Sequence, residues 1–404
     1  MTAPASPAHR AAPWLVLLAG VAAALHVGKL PPALPALQQA LGLTLVQAGF
    51  LLSLVQGAGM ALGLVAGLLA DGIGLRRCLL TGLVLLSVAG AAGGWVHDAA
   101  LLMALRGVEG MGFLLVAVPA PSLLRRHVGP GQLTRMLGLW GAFMPFGTAL
   151  ALLIGPAVIG WQGWPAWWWL AAAVSGLSAI SVWALVPPDA AQPRAARLAT
   201  ALAGIWQRLR RTLGAPGPWL GALSFAVYSA QWLAVIGFLP SLYAQAGWGG
   251  ARGAVLTALV AAVNVIGNVA AGRLLHRGVA PRALLWCGFA AMALGGWLAF
   301  ASATQGSGLA RYAGALLFST VGGLIPGTLF ALAPRLAPGD GAIATTVGWI
   351  QQWSAIGQFG GPPLAAALAA RVGGWQMTWA MLAALCAAGA VLAALLGRHL
   401  RRAM

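Results

Sequence analysis

Residues 43–96 read LTLVQAGFLLSLVQGAGMALGLVAGLLADGIGLRRCLLTGLVLLSVAGAAGGWV, from Leu43 to Val96. Two apolar runs, 45–70 and 78–96, flank a short knot that carries Asp71, Arg76 and Arg77 and nothing else charged. Each run is near the ~20 apolar residues that a helix needs to cross a bilayer. A membrane strand would alternate in polarity, so these runs exclude a porin-type barrel.

The same pattern recurs along the chain. Of 404 residues, 60% are hydrophobic and 7% charged, with a mean hydropathy of +0.87. A soluble domain is roughly 25% charged, so a soluble enzyme is excluded. Cys78, Cys287 and Cys386 are scattered without metal-ligand or disulfide spacing. Twelve spans are expected, over about 13–36, 45–70, 78–96, 99–122, 133–158, 165–186, 217–243, 251–275, 282–303, 307–331, 342–369 and 375–397. The fold class is an all-α integral membrane protein with two pseudo-symmetric six-helix bundles. The expected units are 1–186, a linker at 187–216 and 217–404. The linker opens with Pro187-Pro188-Asp189, carries five arginines and, over Leu198–Leu213, suits a basic helix on the membrane surface.

The net charge of +18 would suggest nucleic acid in a soluble chain. Here the basic residues sit between apolar runs and report topology instead. With the N-terminus in the cytoplasm, eighteen arginines fall inside and only Arg252 and Arg371 outside. Lys29, Arg106 and Arg311 remain within spans. Trp161, Trp164, Trp167, Trp168 and Trp169 crowd the outer end of spans 5 and 6, as an aromatic belt would.

A shift of 205 residues lays the second half on the first. Pro13-Trp14-Leu15 falls on Pro218-Trp219-Leu220, Leu34-Pro35 on Leu239-Pro240, Arg77 on Arg282, Arg106 on Arg311 and Pro121 on Pro326. Six spans per unit make the two halves parallel repeats.

The knot after span 2, Gly67-Leu-Leu-Ala70-Asp71-Gly-Ile-Gly74-Leu-Arg76-Arg77, resembles the signature between spans 2 and 3 of the major facilitator superfamily, with Gly72 where a basic residue is usual. That resemblance implies a transporter fold in which Gly67, Asp71, Gly74, Arg76 and Arg77 form a cytoplasmic gate. In span 4, Arg106-Gly-Val-Glu109-Gly110-Met-Gly112 resembles a second signature of the superfamily, with Glu for the usual Gln. Three stretches are similar to the cyanate-permease-like and 2-nitroimidazole-transporter-like branch: Gly138-Leu139-Trp140-Gly141, the tryptophan-rich start of span 6, and Phe238-Leu239-Pro240-Ser241-Leu242-Tyr243. A cationic site expected midway along span 1 in that branch is replaced by Ala23-Ala24-Leu25.

Charged residues inside spans are functional candidates by default. Arg106 and Glu109 lie one turn apart, so they either neutralise each other structurally or act together at a cavity, with Glu109 as the proton-coupling acid. Arg311 has Gly314 where that acid would be, and either reaches the headgroups or awaits an anion. Lys29 either snorkels past Pro31 and Pro32 or joins a solute site. His26, Tyr228, Gln231, Asn264 and Gln351 complete the candidate solute-binding set. Five acids and six histidines, thinly spread, give no metal site, cofactor site or enzyme centre. The expected protein is a monomeric secondary transporter in the bilayer of the bacterial inner membrane, with both termini cytoplasmic. It moves a small anionic or polar solute by alternating access, coupled to protons. The alternative is a proton-coupled multidrug exporter.

Overall fold

The computed structural model describes residues 7–189, 204–339 and 342–402, apart from the side chains of 7–10, 67–73, 130–131 and 134–135. Gly67 and Asp71 therefore lie outside the described side chains. Among the described residues, ten segments are long and apolar enough to cross a membrane. One, Phe143–Leu185, is two helices run together, with Gly163 at φ 81 between them. Spans 5 and 6, read as separate helices, thus share this element. A further 30-residue helix, Ile343–Val372, packs among the rest as span 11.

Inside hydrocarbon every backbone N–H and C=O must find a partner within the protein, which forces helices on runs like these. Proline decides where several spans bend. It lacks an N–H for the carbonyl four residues back and its ring crowds that carbonyl. Helices stop at Gly28, Ala117, Gly141 and Gly322, each four residues before Pro32, Pro121, Pro145 and Pro326. The continuing pieces start at Leu30, Ala120, Phe143 and Leu324. Span 8 also divides, between Ala262 and Asn264, with no proline to cause it.

The packing repeats as the sequence does. Span 1 lies on span 5 as span 7 lies on span 11. Span 3 packs on spans 4 and 6 as span 9 packs on spans 10 and 12. Across the two halves, spans 2 and 11 stay close over their length: Gly49 abuts Pro362 and Pro363, and Gly63 abuts Gln352. Gln352 clasps span 2 by donating to the Met60 carbonyl (2.8 Å) and accepting from the Leu64 N–H (2.9 Å).

The other seams close at one end only. The half of span 8 farther from the linker, Gly250–Ala262, packs along Phe143–Leu185, whereas the near half, Asn264–His276, scarcely touches it. Span 1 meets span 7 chiefly through Leu30–Leu41, again far from the linker. Apart from the seam of spans 2 and 11, the two halves are joined at the face opposite the linker and diverge toward the linker face. At the top of this divergence Val27, Val55 and Leu233 form a buried apolar layer, with Phe113 and Met144 half-buried against it.

Two expectations change. Trp161 and Trp169 are exposed at the far face, but Trp164, Trp167 and Trp168 are buried inside the first bundle and form no belt. The linker helix runs over Ile205–Gly214; residues 198–203 lie outside the described residues.

Candidate functional site

Glu109 is the centre of a buried ionic cluster within the first six spans. The proline break after Gly28 turns Lys29 inward, where its Nζ donates to Glu109 Oε1 at 2.5 Å. Arg106, one turn before Glu109 on the same helix, binds the other carboxylate oxygen. The Arg106 guanidinium also donates to the carbonyls of His26 (2.7 Å) and Leu51 (3.4 Å), tying span 4 to spans 1 and 2. His26 Nδ1 lies 3.3 Å from Lys29 Nζ, and its Nε2 lies 2.9 Å from Ser175 Oγ on span 6. His26 Nδ1 also lies 3.4 Å from Glu109 Oε1, so it meets both the ammonium, from which it can only accept, and the carboxylate, to which it can only donate. The Trp168 ring covers Lys29 at 4.6 Å, and Trp167 Nε1 donates to the Lys29 carbonyl at 2.8 Å. Gly90 of span 3 leaves the space that His26 and Glu109 fill; a Cβ there would sit 2.8 Å from His26 Cε1.

All four ionisable groups are essentially inaccessible. Among the described residues their side-chain partners come from spans 1, 4 and 6, and the carbonyls they bind from spans 1 and 2. None comes from the second half. Lys29 therefore does not snorkel, and Arg106 and Lys29 do not stand open to the space between the halves. Two buried cations face one carboxylate, and Arg106 Nη2 is buried without a partner. Burying charges costs several kcal/mol per ion unless they are paired and hydrogen-bonded. This cluster meets the condition for Glu109 and only in part for Arg106.

The equivalent place in the second half keeps only one charged group, Arg311 for Arg106. Gln231 stands for His26, Ala234 for Lys29 and Gly314 for Glu109. Gln231 is buried, donates to the Val227 carbonyl (3.0 Å) and accepts from Cys386 Sγ (3.1 Å). One face further, Asn264 donates to Tyr228 Oη and to the Ser319 carbonyl, both at 2.9 Å, and Asn268 donates to Asn264. This network joins spans 7, 8 and 10, and Asn268 is its half-exposed end. Arg311 is half-buried near the far face, with a buried Nε that has no partner. Gln351 is exposed, and its neighbour Gln352 makes the inter-half contact instead.

Toward the linker face the wall near the apolar layer is aromatic. Trp140 stacks on Phe143 at 4.3 Å, and Phe143 on Phe113 at 6.4 Å. Phe113 lies one turn nearer the linker than Glu109 on span 4 and packs, half-buried, against the layer of Val27, Val55 and Leu233.

In the turn between spans 2 and 3, Gly74 adopts φ 106, which a side chain would resist. The backbone N–H groups of Arg76 and Arg77 both donate to the Asp189 carboxylate at 3.2 Å, and Arg126 pairs with it at 3.1 Å. Arg76 donates to the Trp183 carbonyl at 2.5 Å. An anion at a helix N-terminus is favourable, and here it staples the linker's first residues to spans 3 and 4. Sequence reading missed Asp189 as a partner, although it is one of only five acids. Ser175, Trp167 and Trp168 left no signal in an apolar, tryptophan-rich run.

The Major Facilitator Superfamily model matches residues 16–362. The tetracenomycin C resistance and export protein of Streptomyces glaucescens is 31% identical over 196 residues, covering 46% of this chain and 35% of that protein. The puromycin resistance protein pur8 of Streptomyces alboniger is 29% identical over 167 residues, covering 41% and 33%. The chain thus spans about a third of the length of these relatives. Among solved structures, a D-xylose–proton symporter superposes with a TM-score of 0.74 at 16% identity over 94% of this chain and 96% of that one. The Escherichia coli xylose transporter XylE, in a partially occluded inward-open form, gives 0.75 at 14% identity over 96% and 97%.

Proposed function

The chain belongs to the major facilitator superfamily, and from that premise we propose that it is a proton-coupled exporter of apolar, aromatic compounds working by alternating access. The observation that carries this reading is the separation of charge from the solute path. The ionic cluster is enclosed in the first bundle, while the diverging side presents Phe113, Phe143 and Met144 with the neutral Tyr228–Asn264–Asn268 network opposite. The names of two relatives, a tetracenomycin C exporter and a puromycin resistance protein, point the same way.

In this mechanism a proton reaching Glu109 removes the charge that holds Lys29 of span 1 to span 4. Spans 1 and 4 are then free to re-pack, closing the far side and opening the linker side, so the proton is carried inward and the solute-loaded protein makes the reverse step. The apolar layer of Val27, Val55 and Leu233 keeps solute and proton routes apart. Exchange of one for the other follows if either occupant, but not both, is accommodated in a given state.

A second reading, transport of a small anion, draws on a specific observation: two cations against one carboxylate, with unpartnered nitrogens on Arg106 and Arg311. It also fits the likeness to the cyanate-permease-like branch. A binding panel separates the two. The purified protein should bind tetracenomycin C or puromycin saturably and show no response to cyanate, nitrate or benzoate. Phe113→Ala should weaken that binding up to about tenfold, since an aromatic contact contributes roughly 0.5–1.5 kcal/mol. Anion binding lost in Arg311→Ala, with no aromatic binding, would establish the second reading instead.

We place both termini and the linker in the cytoplasm, on the arginine bias. Cysteines introduced at Gln162 or Gln305 should react with an impermeant thiol reagent in intact cells, and one at Gln132 should not. The reverse pattern overturns this orientation.

A further inference from the structure

The helix Ile205–Gly214 takes no part in the ionic cluster or in the aromatic wall, yet it is built with three distinct faces. Ile205, Leu209 and Thr212 follow helical spacing and turn inward; Thr212 is fully buried and its hydroxyl meets Thr345 of span 11 at 2.7 Å. Trp206 and Leu213, seven residues apart, form a second face that is apolar and exposed, Trp206 by 78%. Gln207, Arg210, Arg211 and Gly214 form a third, which lines a groove completed by Ala215 and Pro338. No acidic residue lines that groove among the described residues.

Its attitude is fixed. Ala215 is extended, at φ −101 and ψ 139, and Pro216 starts span 7 directly after it. The Trp219 indole, packed edge-to-face with Trp349 and Trp353, donates to the Leu213 carbonyl at 2.8 Å. The helix is thus clamped at the very end of a membrane span, at the level where hydrocarbon gives way to headgroups. An exposed tryptophan beside a basic face suits that level, because the indole favours the interface and arginine favours phosphate.

We propose that Ile205–Gly214 is a docking surface for anionic phospholipid. The phosphate and charged headgroup lie against Arg210 and Arg211, with Gln207 as an additional donor, and the acyl chains descend past Trp206 and Leu213. Charge complementarity selects an anionic lipid over a zwitterionic one. Because Thr212 is bonded to span 11, and span 11 is clasped to span 2 through Gln352, a bound lipid steadies the linker-open arrangement of the two halves. This inference is independent of which solute is carried.

The test is a thermal-unfolding titration of the full-length protein in neutral detergent with dihexanoyl phosphatidylglycerol, dihexanoyl phosphatidylcholine and glycerol 1-phosphate. Phosphatidylglycerol should raise the unfolding temperature saturably, and the other two should not. Each surface arginine contributes about a fivefold preference for anionic lipid, so Arg210→Gln with Arg211→Gln should raise the midpoint concentration roughly twenty-five-fold. Arg210→Lys with Arg211→Lys should restore most of it, which also shows that the pair is not needed for folding. Trp206→Ser should weaken the lipid response and leave unfolding in its absence nearly unchanged. Equal stabilisation by both lipids, or an unchanged midpoint in the glutamine pair, overturns the proposal. Stabilisation by glycerol 1-phosphate alone also overturns it, since the site would then bind a free anion rather than lipid.

Discussion

Glu109→Leu should destabilise the protein more than any other single change in the first bundle. The leucine leaves Lys29 and Arg106 buried with no counter-charge, and breaking a buried pair from one side typically costs about 3–5 kcal/mol. The loss should be severe because no exposed route lets either cation reach water: both side chains are fully buried. Lys29→Met should behave in the opposite sense. It removes the surplus cation, leaves Arg106 paired to Glu109 and keeps the carbonyl that Trp167 binds. Its unfolding temperature in detergent should stay within a few degrees of wild type or rise. Parallel thermal-unfolding curves of the two variants check this. Equal damage from both would mean that the cluster is held by packing rather than by charge balance.

The second large effect concerns transport. Glu109→Gln keeps the shape and one acceptor oxygen for Lys29 or Arg106 but cannot take up a proton. It should abolish accumulation driven by a pH gradient while leaving exchange of labelled for unlabelled solute largely intact. Binding should change little, since the carboxylate does not face the open side. The check is a pair of flux assays on the same vesicles, one with a pH gradient and one at equal pH with solute on both sides. Exchange lost along with driven uptake would place Glu109 in the solute site. Driven uptake preserved would reduce it to a structural anchor.

Much of this architecture is legible in the sequence because it depends on order along the chain. The apolar runs give the spans, the 205-residue shift gives the paired halves, and Pro32, Pro121, Pro145 and Pro326 mark where spans bend. The Arg106–Glu109 contact is legible for the same reason, since residues three apart on a helix are neighbours. The contact of Lys29 with Glu109 is not, because it depends on how spans 1 and 4 are rotated about their axes. Spans that are hydrophobic all round carry no amphipathic pattern from which a rotation could be read. The same gap hides Ser175 behind His26 and turns Trp167 and Trp168 from an expected belt into the lid over Lys29. Span 11 is legible at 342–369 although Gln351, Gln352 and Gln358 make it polar for a membrane helix; what the sequence hides is that Gln352 spends that polarity on span 2. In the sequence Asp189 is an opening residue of the linker, and only the fold brings it to the start of span 3.

The most direct test of the account is proton movement driven by solute. Liposomes containing the wild-type protein and a luminal pH indicator, with no imposed gradient, would receive tetracenomycin C on one side. Solute entering the lumen should drive protons out, so that the lumen becomes alkaline, and Glu109→Gln vesicles should show solute exchange with no pH change. Solute entry with no proton movement in the wild type, or an undiminished pH change in Glu109→Gln, would contradict it.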